Sequence, residues 1–319
     1  MSSSVPRSPK RRASDELNRQ MKRRWGLVAG AVGLSLVIIL GAYWWYRERE
    51  PARDGAPNWA PDGRSVVFSA EIGTRKGDIF VMNADGTERV NLTDDSDANE
   101  GSPAMSPDGQ HIAFESDRDG NVEIYVMNRN GTGVRRLTNN PAEDRAPAWS
   151  PDGSRIAFMS DRGGRVSPDL YTMKADGSDV QRLTTEFANW APQYAPDGKR
   201  MAFQLNRDVH ILDLATHALR RLTFDPQNGM NPTWSPDGQR IAFVTTRSGP
   251  AELFTMNADG SDQKVAVSMS GANAIDPRWS PDGSKIAFVL VPGPGADSKN
   301  IQAIYTFDLS SGVVMRLSR

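Results

Sequence analysis

Pro147-Ala148-Trp149-Ser150-Pro151-Asp152-Gly153-Ser154-Arg155-Ile156-Ala157-Phe158-Met159-Ser160-Asp161-Arg162 is the stretch that decides the fold. It reads as a short strand, a tight turn and a second strand. Pro151 presets φ at the second turn position, Asp152 tolerates the third, and Gly153 supplies the left-handed residue that closes a hairpin. Arg155 to Met159 is an apolar run too short for a helix and bounded by turn residues, which favours a buried strand. Beyond a loop, Leu170 to Lys174 gives a third strand, Ala175-Asp176-Gly177 a second turn, and Arg182-Leu183-Thr184 a fourth.

The same unit recurs along the chain. The Pro-Asp-Gly turn appears with its proline at 61, 107, 151, 196, 236 and 281, at intervals of 40 to 46 residues. That period suits one four-stranded blade per repeat, so the sequence predicts an all-β, six-bladed propeller. The residue ahead of each first turn is Trp59, Met105, Trp149, Tyr194, Trp234 or Trp279, and large rings at one fixed place are expected to pack between blades. Repeat 4 shortens the link between its second and third strands to Leu205-Asn206-Arg207-Asp208. Repeat 6 instead inserts Val291 to Asn300, whose prolines and glycines predict irregular chain. All six copies are in one frame, so the ring is expected to close by packing of blade 6 on blade 1, with little or no strand exchange.

The chain of 319 residues has no cysteine, which removes disulfides, thiolate metal sites, a cysteine nucleophile and lipid attachment to cysteine. Three histidines without metal-ligand spacing predict no imidazole site, and no cofactor is expected. Of 38 basic and 39 acidic residues, 8 and 2 fall in the first 46, leaving 30 basic against 37 acidic beyond them. An acidic propeller argues against nucleic acid as a partner, since that needs a basic footprint.

From Trp25 to Tyr46 there is no charged residue. As a helix this stretch would rise about 33 Å, enough to cross a hydrocarbon core of about 30 Å. Residues 1–24 are basic, Ser- and Pro-rich, and predict a disordered cytoplasmic tail. Residues 25–46 predict a transmembrane helix with aromatic residues at both ends, and 47–55 a linker ahead of a propeller over 56–319. The positive-inside bias places the propeller in the periplasm or on the cell surface. Bulky aromatics at the end of the span favour an uncleaved anchor over a signal peptide. Gly26 and Gly30 have the spacing that packs two such helices, so a weak helix-mediated dimer is one reading and incidental small residues the other.

With its Ser-Pro-Asp-Gly turn, Ser160-Asp161-Arg162 and closing Arg182-Leu183-Thr184, repeat 3 resembles the WD40-like (PD40) repeat of TolB-like propellers, a resemblance that covers about residues 54 to 319. It implies a bacterial envelope protein that binds other proteins through its propeller. TolB proteins are soluble in the periplasm and carry an α/β domain ahead of the propeller. Here an anchor stands in that place, so membership of a Tol–Pal system does not follow.

Both stereotyped turns of each repeat fall on one face, and the variable loops share the other, the expected working surface. There the residue three before each first-strand proline is Asp54, Glu100, Asp144, Asn189, Gly229 or Ala274, which predicts an acidic stretch of the channel mouth. With Trp190 and with Arg118, Arg162 and Arg207, these residues form the candidate ligand face, for an envelope protein, a cationic peptide or a metal ion. A solvated rim without a ligand is the alternative. Asp117 to Glu123 has the look of a short calcium loop but also the composition of a hairpin turn. No Gly-x-Ser-x-Gly elbow is present, so catalysis is not expected. A sensory ectodomain for a small ligand or peptide is the second reading, and a propeller hydrolase or lyase the third.

Overall fold

The computed structural model describes residues 52–318 apart from 74–75, 95–96, 165–167, 186–188, 225–228 and 294–301. Residues 25–46, predicted to span a membrane, lie outside the described residues, as do the tail and most of the linker. Among the described residues no helix is long and apolar enough to cross a membrane.

Residues Pro51–Arg319 form one compact unit built of six antiparallel four-stranded sheets, each made of consecutive strands. Blade 1 is β1 (Ala52–Trp59), β2 (Ser65–Ile72), β3 (Asp78–Asn83) and β4 (Val90–Asn91). Blade 2 is β5 (Glu100–Met105), β6 (His111–Ser116), β7 (Glu123–Asn128) and β8 (Arg135–Arg136). Blade 3 is β9 (Asp144–Trp149), β10 (Arg155–Ser160), β11 (Asp169–Lys174) and β12 (Gln181–Arg182). Blade 4 is β13 (Asn189–Tyr194), β14 (Arg200–Leu205), β15 (Asp208–Asp213) and β16 (Leu219–Arg221). Blade 5 is β17 (Met230–Trp234), β18 (Arg240–Thr245), β19 (Glu252–Asn257) and β20 (Lys264–Val267). Blade 6 is β21 (Ala272–Trp279), β22 (Lys285–Pro292), β23 (Ala303–Asp308) and β24 (Val314–Arg316). The six-bladed propeller is thus the observed fold, and among the described residues its ring closes without strand exchange.

Two boundaries differ from the sequence reading. Residues 52–55, assigned to the linker, are the start of β1, because their backbone ladders onto Ser69 to Ile72. Val291 and Pro292, assigned to the irregular insertion, extend β22 against Asn273 and Ala272. In both cases a partner strand of eight residues supplies the hydrogen bonds, and that pairing outweighs local composition.

The repeated turns do what their chemistry predicts. In blade 2 the Ser106 carbonyl accepts from Gly109 N–H at 2.8 Å, with Gly109 at φ 68°, and Asp108 accepts from Gln110 N–H at 3.0 Å. The core of each blade is a ring pair: Phe68 on Phe80, Phe114 on Tyr125, Phe158 on Tyr171, Phe203 on His210, Phe243 on Phe254 and Phe288 on Tyr305. His210 takes the ring position in blade 4, and burial pushes its pKa down, so it serves as a neutral plate.

The aromatics ahead of the first turns sit between blades, as expected. Trp149 donates its indole N–H to the Ala104 carbonyl of blade 2 at 3.1 Å, and Trp59 donates to the Arg278 carbonyl of blade 6 at 3.3 Å. Arg200 and Arg240 lie over Trp234 and Trp279 of the following blade, each 4.8 Å from the ring centre. Blade 1 meets blade 6 in one apolar cluster that includes Phe68, Phe80, Val289, Ile304 and Leu317. Side-chain packing therefore closes the ring.

In five of the six repeats the closing tripeptide locks the third strand to the fourth. The Thr93, Thr138, Thr184 and Thr223 hydroxyls and the Ser318 hydroxyl accept from the N–H groups of Ile79, Ile124, Leu170, Val209 and Ile304 at 2.9 to 3.0 Å. Those N–H groups would otherwise be buried without an acceptor.

Candidate functional site

The acidic positions at the start of the innermost strands are buried, and each carboxylate among them meets an arginine of its own blade. Asp54 is bound by Arg89 at 2.9 Å, Glu100 by Arg118, and Asp144 by Arg162 at 2.5 Å. The arginines are themselves placed by packing: Arg89, Arg118 and Arg162 lie over the ring pairs of blades 1, 2 and 3. Comparison within the chain supports a structural role for the pairs. Where the acid is replaced by Gly229, Arg247 of that blade instead donates to Gln263 at 2.9 Å. In blade 4 the acid position is Asn189, whose backbone pairs with Leu205, and the short β14–β15 link leaves Arg207 exposed in a left-handed conformation, φ 67°.

A second layer of buried acids starts the third strands. Glu123 is held by Arg136 at 2.7 Å, Asp169 by Arg182 at 2.5 Å and Asp208 by Arg221 at 2.7 Å. Glu123 also accepts from the Thr138 hydroxyl at 2.5 Å and from Asn140 N–H at 2.9 Å. Burial opposes its charge, yet these donors hold its pKa below the usual glutamate range. Asp144, across the junction of blades 2 and 3, is pushed up to about 6 because burial outweighs the help of Ser160 and Arg162.

The rim acids predicted for a cationic ligand are therefore already neutralised within the protein. The carboxylates of the calcium-like loop are used in the same way. Asp117 accepts from Asn99 N–H at 2.8 Å, while Asp119 accepts from the Tyr125 hydroxyl at 2.6 Å and lies 3.4 Å from Arg136. Among the described residues no group of three or more acidic, histidine or cysteine side chains is placed to hold a metal ion.

The variable face does expose aromatic surface. Trp190 and Phe224 are 48% and 72% exposed; Trp190 is the second residue of β13, and Phe224 follows β16 where the chain leaves blade 4. Trp190 also lines a cavity of about 360 Å³ that draws wall residues from all six blades, including Ala56, Ser102, Ala146, Ala191, Asn231 and Asp276. This is the axial channel, with the innermost strands as its wall.

Those six wall residues were missed by sequence reasoning. Each sits in a β-bulge of its innermost strand with φ between 44° and 50°, although none is glycine. The available signal was the residue that follows, proline in every repeat: Pro57, Pro103, Pro147, Pro192, Pro232 and Pro277. A proline has no N–H to leave unpaired at a bulge, and it keeps the preceding residue out of the right-handed helical region. Glu115 and Asp276 use the freed donors. Glu115 accepts from Ala146 N–H at 2.8 Å, and Asp276 accepts from Ala56 N–H and, at 2.7 Å, from Asn231 Nδ2. Burial pushes the pKa of both acids up.

A family model described as the TolB beta propeller domain (PD40) matches residues 48–133, 96–190 and 185–319. The chain belongs to this family. Among solved structures it is similar to a putative TolB from Agrobacterium tumefaciens, with 22% identity, TM-score 0.65, and coverage of 72% of this chain and 84% of that one. It is also similar to TolB from Acinetobacter baumannii, with 30% identity, TM-score 0.56, and coverage of 66% of this chain and 53% of that one. An oligogalacturonate lyase from Vibrio parahaemolyticus shares the fold at 13% identity, with TM-score 0.58 and coverage of 85% and 79%. The TolB-type propeller fold supports a protein-binding module.

Proposed function

We propose that this TolB-type propeller is a membrane-anchored, extracytoplasmic scaffold that docks another protein of the bacterial envelope on its variable-loop face and carries no catalytic activity of its own. One observation carries the docking reading: the two aromatic rings most exposed among the described residues, Trp190 and Phe224, both lie on that face. Exposed rings of this kind are the usual anchors of protein interfaces. The anchor rests on the uncharged stretch from Trp25 to Tyr46 and the basic residues before it. Asp54, Glu100 and Asp144 are each bound by an arginine of their own blade, which supports a structural role for the rim acids.

Photo-crosslinking in cells tests the docking face. A crosslinking amino acid at Trp190 or Phe224 is expected to trap one discrete protein, whereas the same group at exposed Lys199, on the opposite face, is not. No adduct from either aromatic position, or equal adducts from all three, overturns the reading.

A further inference from the structure

On the rim Asp54, Glu100 and Asp144 each touch a guanidinium, and inside the channel one guanidinium lacks such a contact. Arg278 is surrounded by protein and lines the cavity, yet its Nε has no acceptor. Its Nη1 donates to the Pro277 carbonyl at 2.8 Å, and the acid that acts on it, Asp276 of the same strand, makes no direct contact with it among the described residues. A guanidinium presents five donors in a planar fork that matches a carboxylate, and enclosing them without acceptors is costly. The channel wall already shows what its donors bind, since the chain's own Glu115 and Asp276 occupy two of the bulge N–H groups.

We propose that the axial channel is a receptor for a ligand that carries one carboxylate on an apolar body, with Arg278 holding the carboxylate and Trp190 covering the body. The remaining wall fits such a body, because Met159, Pro147 and Pro192 face the same cavity. A single negative charge is specified by the surroundings. Arg278 offers its donors to one carboxylate, while Asp276, its electrostatic partner, and Glu115 in the same wall disfavour a dianion such as phosphate. A volume of about 360 Å³ suits a body the size of an amino-acid residue and lies at the small end of ligand pockets, about 300–1,000 Å³. A free organic acid and the carboxyl terminus of another chain offer the same chemistry. The site shares Trp190 with the docking reading but does not rest on it: its readout is Arg278, and docking is also tested at Phe224, which is not part of the channel wall.

The test is a titration of the full chain with N-acetyl-leucine, with acetyl-Ala-Ala-Leu, and with the C-terminal amide of each, followed by the arginine Nε–H resonances in nitrogen-15 NMR. At least one acid is expected to shift one resonance that is missing in an Arg278→Lys variant, and neither amide is expected to shift it. Arg278→Lys, which keeps the charge but loses the fork, should weaken binding of that acid at least about tenfold. Binding of both acids points to a free small acid as sufficient, and binding of the tripeptide alone points to a chain terminus. Acids and amides that bind alike, a variant that binds as the parent does, or no shift with either acid up to its solubility limit would each overturn the proposal. Should the variant not fold, the comparison of acid with amide on the parent still decides.

Discussion

Gly86 lies flush against the backbone carbonyl of Leu317, so the turn between β3 and β4 of blade 1 touches the end of blade 6 with no room for a side chain. The contact is the local form of a repeated one. A Cβ on Gly131 or Gly177 would stand 2.7 Å from the carbonyl oxygen of Leu92 or Leu137 of the preceding blade. All three glycines have φ between 83° and 92°. Conformation and space therefore demand glycine together.

Gly86→Ala and Gly131→Ala should each lose at least about 2 kcal/mol, from the left-handed conformation plus the steric conflict. Denaturant unfolding at constant m-value measures this. Because Gly86 sits on the closing seam, its variant should also show faster proteolysis at both ends of the propeller than the Gly131 variant does.

Arg162→Met removes the cation from Asp144, a carboxylate with no exposed surface. Breaking a buried pair from one side costs about 3–5 kcal/mol, whereas replacing both partners with apolar residues is often neutral. The double variant Arg162→Met with Asp144→Leu should thus recover most of the stability lost by the single change. A double variant as unstable as the single one would show that the arginine acts mainly by covering Phe158 and Tyr171.

Asp144 also predicts a pH dependence. Its folded pKa, about 6, lies above the unfolded value, so between the two the folded state binds more protons. Stability from this group then rises as pH falls from 7 toward 4, by on the order of 1–3 kcal/mol. Asp144→Asn should remove that component. Melting curves of parent and variant at pH 7.5 and pH 5 should differ in slope in this sense, with the variant the flatter of the two.

Thr223→Val leaves Val209 N–H without its acceptor at 3.0 Å and removes the donor that Asp208 receives at 2.8 Å. A loss of about 1–3 kcal/mol follows from the unsatisfied groups, with strand exchange of amide hydrogens faster in β15 and β16 than in the other blades.

The absence of cysteine allows a clean topology experiment. Ser248→Cys lies on an exposed loop of blade 5, and a membrane-impermeant maleimide should label it from outside, after outer-membrane permeabilisation where one exists. Ser3→Cys should be labelled only after lysis. The opposite pattern would overturn the orientation read from the basic tail.

The blades were legible because proline, aspartate and glycine at fixed places define a turn by local chemistry alone, and the turns set strand length. The rim was legible only in part. Composition placed Asp54, Glu100 and Asp144 at one level of the ring, but the arginines that cancel them come from connections between other strands of the same blades, and such pairing depends on packing over Phe68, Phe114 and Phe158. The channel wall was hidden for a different reason. Ala56, Ser102 and Ala146 carry no chemistry as residue types, and it is their left-handed backbone that frees donors for the channel. Arg278 falls at a position filled in other blades by Asn58, Ala104, Ala148, Gln193 or Thr233, so repeat comparison flags it as unusual without saying what it faces.

Closure without strand exchange has a mechanical consequence. Among the described residues the backbone makes one hydrogen bond between the first and last blades, from Asp54 N–H to the Gln302 carbonyl at 3.3 Å, beside side-chain bonds from Gln302 to the Asp54 carbonyl at 2.9 Å and from Trp59 to the Arg278 carbonyl at 3.3 Å. A pull applied at residue 52 against the far end of the chain would load these bonds and the apolar contacts around Phe68 and Ile304, with no ladder of strand pairs in shear. The ring would open at this seam under modest force and release whole blades in turn, each still a complete sheet as it leaves.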